Sequence, residues 1–231
     1  MKKVKTLIVL FISALAVYGQ QDAQYSQNMF NQMADNPGYA GSNGQVCATA
    51  INRQQWIGFE GAPNTTLLTI DAAVNLLGIK NGFALEIEND EIGFESNFNI
   101  LGSYAYRTSL WRGELGVGLS GGLINKAIDG NFNPITAEDA VIPENDGDMS
   151  FDLGLGVFYH DRKFYTGLSV SHLNQPGFEI SGTEVSYQRR HYFFAAGYNF
   201  RTPIPLLELK PSVFVKSDGG SAQISVNANA L

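Results

Sequence analysis

Trp111-Arg-Gly-Glu-Leu-Gly-Val-Gly-Leu-Ser-Gly-Gly-Leu123 alternates from end to end. Leu115, Val117, Leu119 and Leu123 fall on one side, and Glu114, Gly116, Gly118, Ser120 and Gly122 on the other, the two-residue period of a strand with no helical face. A soluble sheet buries its oily face and wets the other. A membrane barrel strand turns the oily face to lipid and the polar one to its lumen. One strand does not choose between these, so the remaining strands must.

Working outward, about ten strands can be drawn. They begin with an irregular one at 46–56 and a second that sets Thr66, Leu68, Ile70 and Ala72 against Leu67, Thr69 and Asp71. In the third, Phe83, Leu85 and Ile87 oppose Ala84, Glu86 and Glu88, and in the fourth Phe98, Ile100, Tyr104 and Tyr106 oppose Asn97, Asn99, Ser103 and Ala105. After the opening stretch come Phe151 to Tyr159, then a strand around Leu168 and Val170, then Tyr192 to Phe200, then 206–216, then Ala222 to Asn229. Segments of roughly 9 to 12 residues suit a tilted membrane strand and exceed the soluble norm. Aromatic residues crowd the strand ends, as an interfacial girdle would, and Trp56 and Trp111 are read as interface anchors.

Links in an up-and-down barrel alternate between ends. Those at 57–65, 91–94, 124–149, 173–188 and 217–220 then share one end, and those at 75–81, 108–112, 161–163 and 201–205 the other. Both long links share an end, as the extracellular loops of an outer-membrane barrel do.

The rest of the chain fits an exported protein. Met1-Lys-Lys-Val-Lys5 precedes a short apolar run to Tyr18 and the small residue Gly19, so residues 1–19 read as a cleaved signal peptide. No later segment has the apolar length of a membrane helix. The net charge of −7 argues against a nucleic-acid partner, and the one cysteine, Cys47, read as a buried thiol, excludes a disulfide framework. Residues 20–45 form an arm rich in Asn and Gln with recurring aromatics, and 46–231 form the barrel.

In the arm, Asp22-Ala-Gln24-Tyr25-Ser26-Gln-Asn-Met-Phe30-Asn31 and Asn36-Pro37-Gly-Tyr39-Ala-Gly41 closely resemble the mature N-terminus of the PorP/SprF family of type IX secretion system outer-membrane proteins from Bacteroidetes. Further similarity follows at Arg53 to Thr65, Asn89 to Gly93, Ser103 to Arg107, Phe164 to Ser169, Arg190 to Phe193 and Leu209 to Ser212. Gln32-Met33 replaces a frequent Pro-Leu and Gly38 a frequent Ala, both taken as tolerated variation. Family members usually continue past a segment like Ser225 to Asn229, and Leu231 is not the terminal aromatic typical of outer-membrane barrels, so a C-terminally truncated barrel is expected. The resemblance implies a non-enzymatic role in the secretion and gliding machinery. Its implied partners are outer-membrane lipid, a secreted adhesin with a C-terminal sorting domain, and a periplasmic ring lipoprotein.

Several residues are candidates for that work. In the arm they are Gln24, Tyr25, Ser26, Phe30, Asn31, Asn36, Pro37, Tyr39 and Gly41, which either dock a periplasmic partner or fill the lumen. The inner faces are short of bulk at Gly116, Gly118, Ser120, Gly154, Gly156, Gly167 and Ser169, leaving room for an arm. Glu86, Glu88, Glu114, Asp152 and Asp71 make the lumen acidic, balanced by bases such as Arg107 and Lys210. The loops at 124–149 and 173–188 are assigned to the adhesin. His160, His172 and His191 carry no nucleophile signature, and Pro143 to Asp148 lacks the spacing of a calcium loop, so no catalytic residue, metal or cofactor is expected. The alternatives are a passive channel for small solutes and a secreted soluble barrel that binds lipid.

Overall fold

Alternation of this kind forces extended chain, and the computed structural model describes it over residues 25, 28–128, 146–180, 183–201 and 207–230. The strands are β1 (Cys47–Gln54), β2 (Asn64–Leu76), β3 (Ile79–Ile92), β4 (Glu95–Leu110), β5 (Gly113–Ile128), β6 (Asp146–His160) and β7 (Phe164–Ser171). They continue as β8 (Gly177–Ile180), β9 (Thr183–Tyr187), β10 (His191–Tyr198), β11 (Phe200–Arg201), β12 (Glu208–Ser217) and β13 (Ala222–Ala230). Leaving out β8, β9 and the stub β11, ten strands pair antiparallel in chain order, which is the up-and-down meander expected. No helix is long and apolar enough to cross a membrane.

Two features differ from the expectation. Strands β4 and β5 each run to 16 residues, beyond the expected length. At about 3.3 Å per residue and a tilt near 40°, that spans about 40 Å, enough for the hydrocarbon and part of the headgroups. The link at 173–188 is not irregular either. It carries the β8–β9 hairpin, whose alternation of Phe178 and Ile180 with Val185 and Tyr187 was present in the sequence but too short to stand out.

The faces divide as the alternation requires. Leu68, Phe83, Leu85, Phe98, Tyr104, Val117, Leu119, Phe151, Leu155, Leu168 and Phe194 are exposed on the outer face. Thr69, Asp71, Ala105, Arg107, Asp152, Phe158, His191 and Phe193 are buried on the inner one. A large exposed apolar belt around a polar interior inverts a soluble protein and fits a wall facing hydrocarbon. Among the described residues β1 and β13 do not pair with each other, so the sheet is open. It nevertheless curls around the arm. Thr69 Oγ1 of β2 donates to Asn31 Oδ1 at 3.4 Å, and Asn227 Nδ2 of β13 donates to Asn28 Oδ1 at 3.2 Å, so strands near opposite edges hold one segment.

Leu119→Arg places a charge on the lipid face of β5 and is expected to cost about 2–4 kcal/mol of folding stability, read by urea titration of the vesicle-folded chain. Ser120→Arg, one residue along and facing the lumen, should cost far less. Equal losses would mean the two faces meet the same medium.

Candidate functional site

The arm's shape follows from its own sequence. After a 3-10 turn at Asn28–Phe30 and a one-turn helix α1 (Gln32–Asp35), Asn36 leaves the helical region and caps a second 3-10 turn, Pro37–Tyr39. Proline suits the first position of such a turn, where its missing N–H is not needed, and Asn36 Oδ1 accepts from Gly38 N–H at 2.9 Å. The other half of the same amide binds the wall, Nδ2 donating to the Val157 carbonyl at 3.1 Å and to that of Leu168 at 3.4 Å. One side chain shapes the turn and fixes it to β6 and β7.

The wall is cut to receive it. Pairing places Gly82, Ala105, Gly118, Gly156 and Ser169 in one register row across β3, β4, β5, β6 and β7, all on the inner face. The next row towards the short turns carries Arg107, Gly116, Phe158 and Gly167. A Cβ on Gly82 would lie 1.9 Å from the Ala40 carbonyl oxygen, one on Gly116 2.2 Å from that of Gly38, and one on Gly118 2.3 Å from the Pro37 carbonyl carbon. Neither side has slack. On the arm side Gly38 is close too, though less so, a Cβ there lying 2.9 Å from the Phe158 nitrogen, so alanine at this position needs a small shift of the wall.

Arg107 closes the contact. Its side chain is almost wholly buried, and Nη1 donates to the carbonyls of Gly38 at 3.3 Å and Ala40 at 3.0 Å. Nη2 lies 3.1 Å from His160 Nε2, and since a guanidinium only donates, that nitrogen accepts and the imidazole carries its proton on Nδ1. Glu114 balances the charge at 3.6 Å and also meets Lys80 at 3.4 Å. Asp71 Oδ2 accepts from Gly41 N–H at 2.9 Å, and the Tyr39 ring meets Phe158 edge-on at 5.0 Å. In the sequence Arg107 stands out as a balancing charge and as the end of a family-like segment, not as a contact of the arm, and Gly82 does not stand out at all. A long basic residue at an inner position near a strand end was the available signal.

Above the arm, towards the long-link end, lies a cavity of about 510 Å³ lined by Glu86, Glu88, Asp90 and Asp152 together with Arg53, Lys126 and Lys216. Tyr25 enters it and donates to Glu88 Oε2 at 2.5 Å. Burial and that carboxylate push the phenol above its usual range, so it stays protonated and a donor. The acidic residues are therefore split by the arm: Glu86, Glu88 and Asp152 stand above it, Glu114 below it, and Asp71 on it.

The other candidates are placed as follows. Phe30 is exposed, and Asn31 and Pro37 are buried. Gln24, Ser26 and most of the loop at 124–149, including Pro143 to Asn145, lie outside the described residues. His172 Nδ1 sits 3.1 Å from Asp152 Oδ1 beside the His191 ring, away from His160. Lys210 meets Glu208 at 3.4 Å. Among the described residues no group of His, Cys, Asp or Glu is arranged to hold a metal. Cys47 is a correction: expected buried, it is half-buried, with Asn43 Nδ2 at 3.3 Å from its sulfur, because β1 is an edge strand with cover on one side only. The β8–β9 hairpin folds back on β6, with Phe178 fully buried against Lys126 and Glu179 N–H donating to Asp148 Oδ2 at 2.8 Å. Trp111 stacks edge-on with Tyr159 at the short-turn end, and Trp56 stands at the other end.

Arg107→Ala removes both bonds to the arm carbonyls and should weaken arm docking by about 3 kcal/mol, taking roughly 1.5 kcal/mol or more for each bond from a charged donor. Chymotrypsin should then cut after Tyr39 faster than in the wild-type chain. An unchanged cleavage rate would show that the guanidinium does not hold the arm.

The chain matches the family model described as type IX secretion system membrane protein PorP/SprF over residues 17–231. Neither a curated protein nor a solved structure matches it. An inner wall shaped around the segment that carries the family's N-terminal motif, inside an apolar-faced meander, agrees with that match, and the chain belongs to the PorP/SprF family of type IX secretion system membrane proteins.

Proposed function

We propose that the chain is an outer-membrane subunit of the type IX apparatus whose N-terminal arm closes the lumen from the periplasmic side, leaving the long-link end to receive a secreted adhesin. Export by the signal peptide leaves the arm in the periplasm and the long links outside. The observation that carries the reading is the fit of Asn36–Gly41 into the glycine row, where three wall positions would collide with the arm backbone if they bore even a methyl group. A segment merely passing through a pore would not need that match. The protein then acts as a closed scaffold and not as a solute channel. Phe30, exposed on the arm, is its contact for a periplasmic ring lipoprotein, and Trp111, beside Tyr159 at the short turns, anchors that end in the interface.

In planar bilayers the full chain should be closed, while deletion of residues 22–41 should open steps of conductance. Because the deletion removes packing, Gly118→Val serves as a second variant that keeps every arm residue and should open the pore by displacing them. A wild-type chain that conducts would favour the passive channel, and a closed deletion would end the plug. For the adhesin, the detergent-solubilised chain should capture the purified sorting domain. Removal of residues 129–145 should abolish capture and removal of the arm should not, and the opposite pattern would move the adhesin site to the periplasmic face.

A further inference from the structure

The outer face of β1 to β4 changes character towards the long-link end. Register aligns Ala50, Leu68, Ile87 and Ile100 as one outward row, with Phe98 just beyond them. The next outward positions are Asn52, Thr66 and Asn89, and after them Gln54, Asn64, Glu91 and Ser96. These polar side chains bond to one another, Asn52 Nδ2 to Thr66 Oγ1 at 2.8 Å and to Asn64 Oδ1 at 3.1 Å, and Asn89 Nδ2 to Glu91 Oε1 at 3.0 Å. The belt therefore ends in a polar collar about four residues deep, or about 10 Å along the membrane normal at a tilt near 40°. A headgroup layer is about 5 to 8 Å thick on each side, so the collar uses it up.

Beyond the collar the surface turns apolar again. Trp56, Ile57 and Phe59 are 70%, 80% and 77% exposed, with Ile92 and Phe94 exposed on the neighbouring turn. The loop that carries them is ordered by its own backbone: Gln55 N–H donates to Pro63 O at 3.0 Å, Phe59 N–H to Trp56 O at 3.1 Å, and Gly93 N–H to Gly61 O at 2.9 Å, which ties it to the β3–β4 turn. Glu60 and Glu91 stand exposed at its margin. A preformed aromatic tip with an acidic margin, lifted above the lipid by its own polar collar, has the make-up of a protein-binding hot spot and lacks that of a lipid anchor.

We infer that Trp56, Ile57 and Phe59 form a docking tip for a folded surface protein that presents an apolar patch bordered by Lys or Arg. Resting on the function proposed above, its occupant is the sorting domain of the secreted adhesin. The acidic margin selects basic neighbours and the polar collar keeps the tip out of the bilayer.

The chain holds 2 tryptophans, so Trp111→Phe leaves Trp56 as the only one and Trp56→Phe leaves Trp111. The full chain is folded into phosphatidylcholine vesicles with brominated acyl chains. Trp111 fluorescence should fall several-fold and Trp56 fluorescence should not, whereas equal quenching would make Trp56 a lipid anchor and overturn the tip. Addition of the purified sorting domain should shift Trp56 emission to the blue. A Trp56→Ser/Phe59→Ser chain, checked for folding by heat-modifiable electrophoresis, should bind it roughly tenfold or more weakly. Binding equal to that of the wild type overturns the tip and leaves the adhesin function standing. No binding by the wild-type chain overturns the adhesin function and this occupant with it. A blue shift that grows with chain concentration alone assigns the tip to a second copy and also overturns the proposal.

Discussion

A bare backbone pressed against glycines is the constraint on which the rest of this molecule depends. Within the arm the Pro37 and Tyr39 carbonyls accept from Ala40 N–H and Ser42 N–H, but those of Gly38 and Ala40 turn to the wall, where an unpaired buried carbonyl would be costly. Arg107 answers this because its planar fork supplies several donors from one buried position, reaching the Gly38 and Ala40 carbonyls together while also meeting His160 and Glu114. A lysine there would bring a single ammonium on a flexible stem and could not hold that spread of acceptors. The wall must then approach within van der Waals distance of the turn, so Gly82, Gly116 and Gly118 carry no side chain. The arm, the lane and the arginine are one device.

Much of this was legible before the fold was known, and the limit was register. Each strand's inner and outer sides follow from two-residue alternation, so Leu67, placed inward with Thr69 and Asp71, is indeed buried. The small inner residues of β5, β6 and β7 were visible one strand at a time. Which glycine lies beside which was not, because a slip of one residue exchanges faces and a slip of two shifts the row, and the alternation is unchanged by the second. Only the pairing Gly82–Ala105–Gly118–Gly156–Ser169 shows that they form a lane. Gly82 was missed for the same reason: alone it reads as a weak point near a turn. The β8–β9 hairpin was missed because four or five alternating residues next to Pro176 do not exceed the noise of a loop.

The arm also divides the electrostatics of the interior. Below it, Glu114 is matched by Lys80 and Arg107, so the short-turn end carries little uncompensated charge. Above it the carboxylates of Glu86, Glu88, Asp90 and Asp152 share a cavity with fewer bases, among which Lys126 turns to Glu95 at 2.7 Å. Tyr25 enters this acidic chamber as a neutral donor, adding a bond to Glu88 beside that of Asn99 without adding negative charge. The upper lumen thus remains polar, roomy and acidic while the lower lumen is filled and neutral. That asymmetry would not arise if the inner face were lined uniformly for water.

The outer surface repeats the asymmetry, and this explains why strands longer than a membrane needs do not imply a thicker membrane. Towards the short turns the apolar face continues through Tyr106, Tyr159, Phe164 and Tyr198 to Trp111, and the polar Asn81 in its midst is held by the Tyr104 hydroxyl at 2.7 Å. Towards the long links it stops at Leu68, Ile87 and Phe98, and beyond them Asn52 bonds across the strands to Asn64 and Thr66. All the excess length of β2 to β4 therefore lies on one side of the bilayer. Amide and hydroxyl side chains paired in this way tolerate headgroups and water but would be costly in hydrocarbon, so the collar fixes the depth at which the wall sits. A wall held at that depth carries the arm in its lumen and the long-link surface at a set height relative to the bilayer.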